Sequence, residues 1–146
     1  MSILGIVAEF NPFHNGHQYL INTVKEKYNF DAIVCVMSGN FTQRGEPAIC
    51  NKWARAEMAL NAGVDLVIEL PFCFATRSAY YFAKGAIELL ELTKVVTHIA
   101  FGSEMGDIEQ LKDIARLLNE EPDDYKKLLK KQLNKGFSYP MARSIA

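Results

Sequence analysis

ILGIVAEFNPFHNGHQYLINTVKEKY, residues 3–28, passes from an unbroken apolar run through a polar turn into a helix. Ile3 to Ala8 shows no alternation, the pattern of a strand covered on both faces. Pro12 lacks the N–H that a strand ladder needs, and Asn11, Asn15 and Gly16 are turn formers. From His17 to Tyr28, Tyr19 or Leu20, Thr23 or Val24, and Lys27 or Tyr28 recur at helical spacing. Strand, tight polar loop and helix make the first half of a βαβ unit.

The pattern then repeats. Ala32 to Met37 predicts a second buried strand, and Val64 to Leu70, closed by Pro71, a third. Val95 to Phe101 predicts a fourth. Helices are expected over Trp53 to Ala62, with Gly63 as left-handed cap, and over most of Ala75 to Leu92. Another follows Asp107, which with Gln110 forms a capping signature ahead of the stripe Ile108, Leu111, Ala115 and Leu118. Tyr125 to Lys135 reads as a weakly apolar helix, and Gly136 to Ala146 carries no closing signal. The expectation is an α/β fold: a Rossmann-like parallel sheet of four strands with helices on both faces. Ligands of such sheets bind beyond the carboxyl ends of the strands. The loops 9–17, 38–51 and 102–106 are expected to open together on that edge.

The 146 residues suit one core of ordinary depth, with 49% apolar and 23% charged types. A net charge of −1 excludes a body that holds nucleic acid by bulk charge alone. Cys35, Cys50 and Cys73 form neither a disulfide framework nor a CxxC pair. No apolar run is long enough to span a membrane, and the start has no basic region of a signal peptide. A soluble, cytoplasmic chain is expected, with no signal for oligomeric state.

Three of its features bear on chemistry. His14-Asn15-Gly16-His17 places two imidazoles at a helix N-terminus, where backbone N–H groups favour an anion and Gly16 gives a phosphate access. The alternative is a pair of polar capping residues. No metal site is expected, because Glu9 is a single carboxylate and His98 lies in a strand. Arg44, Lys52 and Arg55 are candidates for phosphate or RNA contact, set against an ordinary solvated helix start. Lys126, Lys127, Lys130, Lys131 and Lys135 make a basic helix face, read as solvated in preference to RNA-binding. Asp65 reads as structural, and Ser103 with Glu104 as loop or ribose contacts. Tyr80, Tyr81 and Phe82 read as core and helix edge in preference to a base-stacking platform, with Trp53 anchoring its helix. GxxxxGK[ST], GxGxxG and GxSxG are absent.

The stretch from Gly5 to His17 resembles the opening of the HxGH nucleotidyltransferase superfamily. Val36 to Ala48, Lys52-Trp53-Ala54-Arg55, Gly63 to Pro71, Phe101-Gly102-Ser103-Glu104 and Gly106-Asp107 narrow this to a resemblance to the bacterial tRNA(Met) cytidine acetate ligase family. That resemblance implies activation of acetate by ATP to acetyl-adenylate, then acetylation of N4 of the wobble cytidine of elongator tRNA(Met). It implies an ATP site along Val7, Ala8, Glu9, Phe10, Asn11, Pro12, Phe13, His14, Asn15, Gly16, His17, Gln18, Tyr19 and Leu20, joined by Gly102. His14 and His17, with Lys52, would stabilise charge, and Mg²⁺ would arrive with the nucleotide. Residues 1–120 would form the ATP-binding domain and 121–146 a helical extension. The family's proteins are longer, so tRNA contact is expected to need their C-terminal part. The alternatives are a nucleotidyltransferase acting on a small phosphorylated cofactor precursor, or a non-catalytic nucleotide- or RNA-binding module.

Overall fold

A computed structural model describes residues 1–104 and 106–146. Strand β1 (Ile3–Ala8) leads through a loop to helix α1 (Asn15–Lys27), then β2 (Ala32–Ser38), α2 (Lys52–Asn61) and β3 (Leu66–Leu70). Short α3 (Phe72–Ala75) and long α4 (Ala79–Leu92) return the chain to β4 (His98–Ala100). The four strands are parallel in the order β3-β2-β1-β4. This is the Rossmann-like sheet expected from the sequence.

Both central strands bury both faces, as their unbroken apolar runs require. Leu4 and Ile6 of β1 and Ile33, Cys35 and Met37 of β2 pack with Ile21 and Val24 of α1 and Ala59 of α2. The alternate residues Ile3, Val34 and Val36, with Leu70 of β3, pack with Ala75, Ala86 and Leu90 from α3 and α4. Gly63, at φ +100°, closes α2 as its composition predicts.

Three boundaries differ from expectation, each for a local reason. Strands β3 and β4 begin late: the Asp65 and Thr97 N–H groups still bond the Ile33 and Ile3 carbonyls, but side chains take the N–H groups in return. Asp65 Oδ2 accepts from the Ile33 N–H at 2.7 Å, and the Thr97 hydroxyl takes the Ile3 N–H at 2.9 Å. The helix expected from Ala75 is broken at residues 76–78. Phe74 of α3 packs so tightly on α4 that any Cβ at Gly85 would meet its ring at 2.5 Å.

The chain forms two compact units, Met1–Gly102 and Ser103–Ala146. The sheet and its two cores lie wholly in the first. The second holds α5 (Ile108–Glu120), α6 (Asp123–Asn134) and α7 (Tyr139–Ile145). The division therefore precedes the expected boundary at 120, and α5, expected to serve the nucleotide domain, buries none of its residues. Asp107 caps α5 as predicted, accepting from the Glu109 and Gln110 N–H groups. Helix α7 lies within the expected helical extension: Pro140 falls in its first turn, where the missing N–H costs no helical bond. Of the loop expected at 102–106, Met105 lies outside the described residues.

Candidate functional site

From β1 the chain moves through α1 to β2 on one side. It later returns through α4 to β4 on the other side. The connections thus diverge at the carboxyl end of β1, the switch point where such sheets open a crevice. A cleft of about 570 Å³ lies there, within the range of small-molecule sites. Val7 to Pro12, His14, Gly16, His17, Leu20 and Gly102 line it, joined by Ile6 and Phe101. Four residues of the expected segment do not. Phe13 packs against the rings of Phe10 and His17, and Tyr19 is exposed. Asn15 opens α1, and Gln18 bonds Asn22 and the Ala62 carbonyl.

His14 is the N-cap of α1. Its Nδ1 accepts from the Gly16 N–H at 3.1 Å, and His17 Nδ1 accepts from the His14 N–H at 3.2 Å. The two rings stack with centroids 3.7 Å apart. With both Nδ1 atoms accepting, each neutral imidazole carries its proton on Nε2, so the turn holds two N–H donors in one stack. Burial, and secondarily the neighbouring His14, hold His17 below the ordinary histidine range. Gly16 lines the cleft and has a second, steric part here. A Cβ would stand 3.0 Å from His14 Cε1, so the glycine makes room for the capping ring. The His14 carbonyl also takes the His17 and Gln18 N–H groups. An anion at this helix end therefore meets imidazole donors backed by the helix dipole, and several of the backbone N–H groups are already engaged.

The long loop after β2 is tightly bonded. Phe41 bridges Pro47 around a turn closed by the Gly45 N–H on the Thr42 carbonyl. The loop is fastened to the cleft's own loop in two places. The Gln43 N–H donates to the Glu9 carboxylate, and the Ile49 N–H to Asn11 Oδ1 at 2.7 Å.

Arg44, Lys52 and Arg55 are not brought together as a clamp, and none of them lines the cleft. Arg44 lies exposed on the turn. Lys52 pairs with Glu69 at 2.6 Å beside a 60 Å³ recess. Arg55 is 0% exposed and donates only to backbone carbonyls. Its acceptors are Cys50 at 3.2 Å, Glu9 at 2.5 Å, Ser38 at 3.1 Å, and Gly39. Desolvation pulls its pKa down, and Cys50, Glu9 and Glu69 draw it back. The expected phosphate contact is instead a buried tie joining the exits of β1 and β2 to the end of the long loop. Elsewhere, burial pushes the Cys35 thiol up to about 12, and Lys127 of the basic face pairs with Asp124 at 3.0 Å.

The HIGH Nucleotidyl Transferase family model matches residues 1–146. The chain belongs to that family. It is 67% identical over its whole length to a tRNA(Met) cytidine acetate ligase of Syntrophomonas wolfei, and 56% identical to one of Acetivibrio thermocellus. In each case it spans 35% of the relative's length. Among solved structures it resembles Thermotoga maritima TmcAL bound with alpha-thio ATP, at 55% identity and a TM-score of 0.89. That match covers 98% of this chain and 35% of the other. The apo form of the same protein gives a TM-score of 0.90.

Two lining residues of this HIGH nucleotidyl transferase chain were not read from its sequence. Ile6 sits inside the first strand, and Phe101 was assigned to the fourth. The signal available was topological: the strand that flanks β1 opposite β2 must deliver its exit residue to the crevice.

Proposed function

We propose that this chain is the ATP-binding, acetate-activating part of a tRNA(Met) cytidine acetate ligase. The observation that carries the reading is the pair of stacked imidazoles at the switch-point cleft, whose Nδ1 atoms accept backbone N–H groups and so leave Nε2 to donate. An acetate oxygen attacks the α-phosphorus of ATP, the bond to the β-phosphate oxygen breaks, and pyrophosphate leaves. Cytidine N4 then attacks the acyl carbon, the bond to AMP breaks, and N4 gives up a proton. The first step needs positioning and stabilisation of charge on phosphoryl oxygens, and no protein nucleophile. Donors on His14 and His17 serve that need. The ATP analogue bound by the Thermotoga relative, and the names of the curated relatives, support this reading. Mg²⁺ is assigned to the triphosphate that it accompanies. Among the described residues no helix is long and apolar enough to cross a membrane.

The test is calorimetric titration of Mg·ATP into the 146-residue chain beside His17→Ala. A saturable one-site curve is expected, weakened about tenfold to a hundredfold by loss of one donor to a charged ligand. Acetate-dependent pyrophosphate exchange follows on the same protein. Equal binding by both proteins overturns the role given to His17. Saturable binding with no exchange favours a non-catalytic module.

A further inference from the structure

Trp53 and Tyr80, read from the sequence as anchoring and core residues, are 74% and 68% exposed. Phe41 and Phe72 are exposed beside one another, their rings meeting edge-on at 5.5 Å. Cations are interleaved with these rings. The Arg77 guanidinium lies 3.7 Å from the centre of the Tyr81 ring, and Lys52 Nζ lies 5.3 Å from that of Trp53. Arg44 and Arg77 are exposed and, among the described residues, neither has a carboxylate partner. Acids near these rings include Glu46, on the turn with Arg44, Glu57, one helical turn after Trp53, and Glu69, held by Lys52. Gln43 knits the rim to the cleft: its side chain donates to the Arg77 carbonyl and its backbone N–H to Glu9.

We infer that this aromatic and arginine-bearing rim is where unpaired nucleotides of an RNA substrate stack beside the cleft. The inference rests on the acetate-ligase reading and adds to it the surface that faces RNA. Acyl transfer requires the target amine within bonding distance of the acyl carbon formed in the cleft. The nucleotides flanking that base must therefore lie on whatever borders the cleft. Exposed rings offer faces on which any base stacks, and exposed guanidiniums without carboxylate partners on the same segments suit phosphates better than they suit an apolar protein partner. With a net charge of −1, the chain gains affinity here from stacking more than from charge. Two phosphates neutralised by Arg44 and Arg77 give a log–log salt slope of about −1.4 for a single strand.

Trp53 is the sole tryptophan, so its emission reports on the rim directly. The experiment titrates an RNA hairpin carrying the anticodon loop of elongator tRNA(Met) into the chain, beside a blunt RNA duplex lacking the loop. Saturable quenching by the hairpin and none by the duplex is expected. Arg77→Ala, Tyr80→Ala and Arg44→Ala should each weaken binding, about tenfold for the stacked ring, with melting temperature unchanged. Three outcomes overturn the inference: no quenching by the hairpin, equal binding by all three variants, or quenching that follows protein concentration without RNA. Failure of ATP to bind while the hairpin still quenches would sink the acetate-ligase reading and leave the RNA surface standing.

Discussion

At the scale of single residues, His17 is a cleft-lining titratable group whose surroundings shift its protonation. It accepts a backbone N–H, stacks on His14, and meets Phe10 and Phe13 edge-on or tilted at 4.8 and 5.4 Å. Its pKa is depressed, so the unfolded chain binds this proton more readily than the folded one. Stability from this residue is therefore complete above the ordinary value of 6.5 and declines as pH falls through it toward the folded pKa. His17→Gln should flatten the melting temperature between pH 7.5 and pH 5 relative to the parent chain (about two to three pH units around the histidine range). An identical acid slope in both proteins would assign that slope to other groups.

Helix α2 acts at the next scale as the fastening of the sheet's carboxyl edge. Its first turn carries Asn51 as N-cap, Lys52 paired to β3, and Arg55 reaching into the interior. Arg55 gathers carbonyls from positions 9, 38, 39 and 50, so one side chain holds the cleft loop, the exit of β2 and the long loop in register. Arg55→Met keeps much of the volume and leaves those acceptors unpaired. A loss of about 3 kcal/mol or more is expected from the unmade charge-assisted bonds, read from the urea midpoint. ATP affinity should fall with it, because Glu9 loses its anchor. A variant as stable as the parent would show that water replaces the guanidinium.

For the molecule as a whole, the organising fact is that both hydrophobic cores draw only on residues 3–100. The cleft likewise ends at Gly102. The first unit thus owns its sheet, its packing and its candidate site. A chain ending at Gly102 is expected to melt cooperatively and to bind Mg·ATP as the 146-residue chain does, by scanning and titration calorimetry. A broad, non-cooperative transition would show that Ser103–Ala146 is required for folding of the first unit.

The order of strands and helices, the buried character of β1 and β2, the caps at Gly63 and Asp107, and the histidine turn were legible in the sequence. Each depends on residues within a few positions of one another: an apolar run, a glycine after a helix, an acid before one. What each polar residue does was decided by tertiary structure. Arg44, Lys52 and Arg55 look alike in sequence as basic residues near a helix start. One is exposed on a turn, one is paired to a strand, and one is buried among carbonyls from two distant segments and its own helix approach. Tyr80 and Trp53 look like core residues because aromatic side chains usually pay for burial, yet the sheet's faces were already filled by Val, Ile and Leu. Hydrophobic period is a local property of the chain; partners for a buried charge and the remaining room in a core are not.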